Sequence, residues 1–228
     1  MGIKLRLVAM NFLQFAVWGS YLVCIGNFLG RVGLGDYISW FYVAQGVVSI
    51  FMPAIIGAIA DRYVEPQRML GLSHLAAAGF MLLAAWFGYQ ATVLHAAGAA
   101  TSIGPIFTAY CLSVAFYMPT IALSNTTAFS ILKSHGFDTV KDFPPIRVFG
   151  TVGFIAAMWF VNFVGFGVTG EQTFVENGVE AVRTVPLAAQ FTYMQLVVCA
   201  ALGLVLGLYT FTLPRCPIDR SAAQGQKS

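Results

Sequence analysis

Charge is what this sequence has least of. Charged residues make up 9% of its 228 positions, 12 Lys+Arg and 9 Asp+Glu, where soluble domains carry roughly 25%. So few charges cannot cover a water-soluble surface, which excludes a cytosolic enzyme and a secreted domain. An apolar share of 58% also excludes a disordered tail. The net charge of +3 is small and scattered, so no basic face is offered to nucleic acid. Cysteine is scarce as well. Four residues make no disulfide framework, and Cys24, Cys111 and Cys199 lie in apolar runs, where a free thiol acts as a small hydrophobe. Ser–His–Asp sets, paired cysteines and His-x-x-His spacings are missing, so no enzyme, metal or organic cofactor is expected.

Long uncharged runs are present instead, and mean hydropathy is +0.78. Between Arg6 and Arg31, and again between Asp36 and Asp61, lie 24 uncharged residues; the later gaps are 64, 23 and 31 residues long. A membrane-crossing helix needs ~20 apolar residues, since ~30 Å of hydrocarbon is covered at 1.5 Å per residue. Four gaps hold one span each, and the 64-residue gap holds two with a turn near Gln90 to Pro105. Six spans are expected at about 7–29, 37–60, 69–90, 104–132, 144–166 and 189–213. A membrane β-barrel would show ~10-residue alternating segments, and the runs are far longer than that. The expected fold is an all-α membrane bundle over 1–214, with 215–228 a polar linker or tail. Lys4 and Arg6 before an apolar run imitate a signal peptide, but no small-residue cleavage site follows.

Six spans put both termini on one side of the membrane. Ten of the 12 Lys+Arg then fall on that side and only Arg31 and Arg183 on the other, so the positive-inside rule makes the termini cytoplasmic. The segment from 167 to 188, with Glu171, Glu176, Glu180 and Arg183, is expected to be an extracytoplasmic loop with a little local structure. Membrane lipid is the expected surrounding of the apolar faces.

Two polar stripes interrupt the apolar helices. Asn11, Gln14, Trp18 and Tyr21 recur at helical spacing on the first, and Ser113, Tyr117, Thr120, Ser124 and Thr127 on the fourth. Neutral polar groups in lipid need partners, so these faces point to other helices or to a watery cavity. Trp18, Tyr21 and Tyr117 add rings able to stack on a flat ligand. His74, among apolar residues of the third span, is either a packed, hydrogen-bonded histidine or a proton relay. Pro119 is expected to bend its helix.

Arg147 follows Asp142-Phe143-Pro144-Pro145-Ile146. The two prolines are expected to sit in the opening turn of a helix, where a missing N–H costs least. Arg147, Thr151 and Phe154 then share one face at i, i+4 and i+7. An Arg there either snorkels to the interface or faces a polar cavity.

Gly57, Asp61 and Arg62 stand at a G-x-x-x-D-R spacing where the second and third spans join, and this resembles the loop motif of the major facilitator superfamily. Tyr63-Val64-Glu65-Pro66-Gln67 departs from the glycine and basic pair usual after it. A longer set carries a more specific resemblance. It comprises Phe12-Leu13-Gln14-Phe15 with Trp18-Gly19-Ser20, Phe51-Met52-Pro53-Ala54, and Tyr117-Met118-Pro119-Thr120. Asp142 to Arg147, Gly150-Thr151, Gly153-Phe154-Ile155 and Ala157-Met158-Trp159 complete it. The whole set resembles the bacterial nucleoside:H+ symporters of that superfamily.

The resemblance implies one six-helix half of a twelve-helix carrier in a bacterial inner membrane. Substrate would be held between the halves at mid-membrane, and the partner would be a C-terminal six-helix half. It also implies that Arg147, Thr151 and Phe154 face a nucleoside. The stripes add Gln14, Trp18 and Tyr117 to the candidate site. Protons are the implied coupling ion, and the acidic coupling residues are expected in the other half. Asp61 and Arg62 are expected to act as a conformational lock at the cytoplasmic face, the alternative being a solvated loop pair. Two other functions fit the residues without the resemblance: a carrier for another solute such as a sugar, and a membrane assembly subunit with no substrate.

Overall fold

The long apolar runs do fold as helices, and the computed structural model describes residues 2–176 and 179–216. In chain order they are α1 (Ile3–Gly19), α2 (Ile25–Arg31), α3 (Ile38–Tyr63), α4 (Pro66–Ala96), α5 (Ile103–Ser134), α6 (Thr139–Phe163) and α7 (Met194–Thr210). Among the described residues, the segments Gly35–Ala60, Pro66–Ala96, Ile103–Ser134 and Thr139–Phe163 are each long and apolar enough to cross a membrane, and α7 is a shorter apolar helix. Helix ends fall where the chain supplies a residue able to turn back. Gly98 and Gly136 take φ of 70° and 74°, a left-handed turn that glycine adopts without strain. The next residue closes each cap, Ala99 N–H donating to Leu94 C=O at 2.9 Å and Phe137 N–H to Leu132 C=O at 3.0 Å.

Four sequence expectations are corrected. The first span is not one helix: the chain leaves α1 at Gly19 and re-enters helix at Ile25. Tight turns carry the backbone across this break, with Cys24 N–H donating to Tyr21 C=O at 3.1 Å and Ile25 N–H to the same carbonyl at 2.9 Å, so little hydrogen bonding is lost. The all-α expectation fails at 165–188, where β1 (Gly165–Glu176) and β2 (Val179–Ala188) pair antiparallel. Threonine and valine recur along both strands, and β-branched residues suit a pleated ribbon.

The third correction concerns Pro144 and Pro145, which lie inside α6 and not in its opening turn. The helix starts earlier because the Asp138 carboxylate caps it, accepting from Val140 N–H at 2.9 Å and Lys141 N–H at 3.4 Å. The carbonyls that the prolines leave without i+4 donors belong to exposed Val140 and Lys141, where water can reach them. Fourth, Gly57, Asp61 and Arg62 form the last turns of α3, and only Val64 and Glu65 separate it from α4. α5 runs unbroken through Pro119. The tail expected at 215–228 is described only to Cys216, and Cys216 is buried: its N–H donates to Gln67 Oε1 at 3.1 Å. Residues 217–228 lie outside the described residues.

α4, α5 and α7 pack together with α1, while α6 lies along α1 and α3 along α5. One apolar core joins α1, α2, α4, α5 and α7 around Tyr21, Phe28, Met81 and Tyr110, and a second surrounds Leu7, Leu70, Ile131 and Leu206. Gly203 and Gly207 bring α7 against α4: a Cβ on Gly207 would stand 2.8 Å from Leu75 Cδ2. α3 is the least enclosed of the long helices, with Val43, Ile50 and Phe51 at 62%, 70% and 61% exposure. An apolar face of that extent needs lipid or more protein over it.

The two ends of the bundle differ in chemistry. At one end Lys4 Nζ pairs with Asp142 at 2.7 Å, the Arg6 guanidinium donates to Thr212 C=O, and Arg68 pairs with Glu65 at 3.1 Å. At the other end Asn27 Nδ2 donates to Gln190 Oε1 at 3.0 Å and Arg31 to Glu171 C=O at 2.9 Å.

α1 and α6 approach through glycine. A Cβ on Gly153 would collide with the Phe12 carbonyl, and one on Gly19 with the Phe154 carbonyl. Neither obstacle is a flexible side-chain end, so the helices would have to part. Gly153→Val is expected to lower the thermal midpoint of the purified protein, at a cost of about 1–3 kcal/mol. Gly57→Val, in α3 where a Cβ meets nothing within 4 Å, should leave the midpoint near wild type. Equal midpoints for the two variants in a detergent melting curve would refute this packing.

Candidate functional site

α6 presents Arg147, Thr151 and Phe154 on one face, as the i, i+4, i+7 spacing requires. Arg147 is half-buried, Thr151 exposed and Phe154 half-buried. Phe143, Pro144, Arg147, Val148 and Thr151 border an open groove along the helix.

α1 forms the wall behind this face. The Arg147 guanidinium carbon stands 3.9 Å from the centre of the Phe15 ring. A cation over a ring face is stabilised by about 0.5–2 kcal/mol, and the contact leaves the in-plane N–H donors for another acceptor. Gly150 makes it possible: a Cβ there would stand 2.6 Å from Phe15 Cδ2 and 2.8 Å from Arg147 Nη1. One turn on, Trp18 meets Phe154 edge to face, with ring centres 6.2 Å apart, and Phe15 at 6.3 Å. Tyr117 of α5 completes the aromatic group 6.4 Å from Trp18. Within this group the Trp18 indole N–H is buried and finds no partner among the described residues.

Gln14 and Tyr117 are placed behind that wall. Both are buried and hold each other: the Tyr117 hydroxyl donates to Gln14 C=O at 2.8 Å. The Gln14 amide donates to Thr120 Oγ1 at 2.7 Å, and its Oε1 meets His74 Nε2 at 2.8 Å. The other stripe residues are also enclosed. Ser113 donates to Ala77 C=O at 2.7 Å, and Asn11 to Leu7 C=O at 3.1 Å. The two stripes therefore face the bundle interior, and the groove is bordered by α6. Of the six candidate residues, Arg147 and Thr151 border the groove, Trp18 and Phe154 form the wall, and Gln14 and Tyr117 support it. Phe15 and Gly150 were absent from the sequence-derived site. Gly150 sits one i+3 step from Arg147, which is a signal; the stacking of Phe15 depends on how α1 crosses α6, which no single helix pattern reveals.

Arg62 is exposed in the last turn of α3. The Asp61 side chain lies outside the described residues, so the expected lock is placed only by its backbone.

The family described as Nucleoside H+ symporter matches residues 1–228. The chain is 34% identical over 225 residues to the xanthosine permease of Escherichia coli (strain K12), covering 98% of this chain and 45% of that protein. To the nucleoside permease NupG of the same strain it is 34% identical over 226 residues, with the same shares covered. Its fold is similar to the crystal structure of nucleoside transporter NupG, with a TM-score of 0.77 and 31% identity over 100% of this chain and 47% of that one. The chain spans about half the length of the curated relatives it matches.

Proposed function

This chain belongs to the nucleoside H+ symporter family, and from that premise we propose that it forms one six-span half of a proton-coupled nucleoside carrier of the major facilitator type. α1 with α2, α3, α4, α5, α6 and α7 make the six spans. α1 and α2 cross as one broken helix. The carrier works in a bacterial inner membrane by alternating access, and a second six-helix half closes the substrate site from the other side.

The observation that carries this reading is the face of α6. A nucleoside offers a flat apolar ring edged with carbonyls and amines, and a ribose with hydroxyls. Arg147, stacked on Phe15, donates to a base carbonyl or a ribose oxygen. Thr151 adds a hydroxyl that both donates and accepts. Phe154, braced edge-on by Trp18, packs on the base. The end carrying Lys4, Arg6, Arg62, Arg68, Lys133 and Lys141 is the cytoplasmic one by the positive-inside rule, which puts both ends of this chain in the cytoplasm and the β1–β2 ribbon outside. Among the described residues no Asp or Glu lies deep in an apolar span, so the acid that carries the coupling proton is supplied by the other half.

The test is uptake by cells expressing the full-length protein, against a panel of purine and pyrimidine nucleosides and sugars. Saturable nucleoside uptake that a protonophore abolishes is expected. Uptake of a sugar with no nucleoside uptake, or nucleoside uptake indifferent to the protonophore, refutes this reading or its coupling respectively.

A further inference from the structure

His74 is buried at the centre of the bundle, 0% exposed, and no role above uses it. Its hydrogen bonds fix its chemical state. Thr120 donates its hydroxyl proton to Tyr117 C=O at 2.6 Å, so Thr120 Oγ1 accepts from the Gln14 amide nitrogen at 2.7 Å. The Gln14 carbonyl oxygen therefore faces His74 Nε2, at 2.8 Å, and Nε2 must carry the hydrogen. In the neutral ring Nδ1 is then a bare acceptor. Nδ1 is buried and has no partner among the described residues, while the Tyr21 hydroxyl interacts with Tyr110. His74 and Tyr21 line the same small internal space between α1, α4, α5 and α7, about 10 Å³ in volume. That is close to the room one water needs. A water held there would donate to Nδ1, a group that is costly to leave unpaired.

We propose that His74 is a positioning residue for the solute wall: a neutral imidazole that donates from Nε2, fixes Gln14 and through it holds α1 against α4 and α5. The brace reaches the site in one turn. Gln14 C=O accepts from the Tyr117 hydroxyl at 2.8 Å, Phe15 beneath Arg147 is the next residue, and Trp18 is one turn on. The His74 ring also meets Tyr117 edge to face at 5.8 Å. Without the His74 donor the Gln14 side chain is held by Thr120 alone, and the rings facing the solute are held less firmly. Solute affinity then falls before the turnover of bound solute does. This inference rests on the proposed nucleoside site.

Two variants of the full-length protein separate the outcomes. His74→Phe keeps ring volume and removes the donor; His74→Gln restores an N–H toward Gln14. We expect His74→Phe to raise the nucleoside KM at least tenfold with maximal rate within about threefold, and His74→Gln to return KM to within about threefold of wild type. A wild-type protein that transports nucleosides, with both variants at wild-type KM or changed only in maximal rate, overturns the inference and leaves the transport reading standing. A wild type that transports no nucleoside sinks the transport reading itself. Nitrogen-15 imidazole NMR supplies a readout independent of transport, with His74→Phe identifying the signal. It should show a protonated Nε2 and an unprotonated Nδ1. An imidazolium or an Nδ1–H tautomer overturns the brace.

Discussion

Replacing Arg147 by Ala should abolish nucleoside uptake by the full-length carrier while leaving its amount in the membrane unchanged. The guanidinium is half-buried and stacked on Phe15 at 3.9 Å. Its cost of placement, ~2.5–3.5 kcal/mol for an Arg within the membrane span, is incurred whether or not a solute is present. The alanine variant therefore folds at least as easily. What it loses is a set of hydrogen bonds from a charged donor, each contributing about 1.5–3 kcal/mol. Two such bonds correspond to a fall of about 100-fold or more in Vmax/KM. Arg147→Lys keeps the charge and loses both the fork of donors and the flat face on Phe15, so it should fall between. Uptake assays on membranes with matched protein levels decide the point, and wild-type uptake by Arg147→Ala would remove this residue from the site.

The second large effect concerns the other half. The groove on α6 has a floor and one wall, and nothing among the described residues covers it. The chain matches 45% of the length of the permeases. Residues 1–228 reconstituted alone into liposomes should show no proton-driven nucleoside uptake. Supplying the second half, as a co-expressed chain or in one polypeptide, should restore it. Proton-coupled uptake by residues 1–228 alone would mean that copies of this chain close the site on each other, and that a membrane-embedded acid is not required.

The parts of this fold that were legible in the sequence are those set by local spacing. Apolar runs longer than any barrel strand gave the long helices, and i, i+4, i+7 spacing put Arg147, Thr151 and Phe154 on one face before any packing was known. The misses have definite causes. The break after Gly19 lies where the Phe154 carbonyl of α6 approaches that glycine closely, a tertiary contact that no single helix pattern reveals. α6 starts before Pro144-Pro145 because the Asp138 carboxylate caps it, accepting from Val140 and Lys141 N–H. The β1–β2 ribbon was not expected, although threonine and valine recur along both strands and suit a pleated ribbon. The stripes on the first and fourth spans announced polar partners correctly in kind, but which partner each residue takes, and that Gln14 would join His74 to Thr120, follows only from how the helices cross.

The claim at the centre of this account is that the groove beside Arg147 holds a nucleoside. Val148 borders that groove and is 60% exposed, whereas Cys24, Cys199 and Cys216 are buried and Cys111 is half-buried, poor targets for a polar thiol reagent. The direct measurement is the labelling rate of Val148→Cys in the full-length protein, after subtracting the wild-type background, with and without solute. Saturating uridine or adenosine should slow labelling about tenfold or more, and an equal concentration of glucose should not. A rate that nucleosides leave unchanged, or that glucose slows equally, would contradict the account.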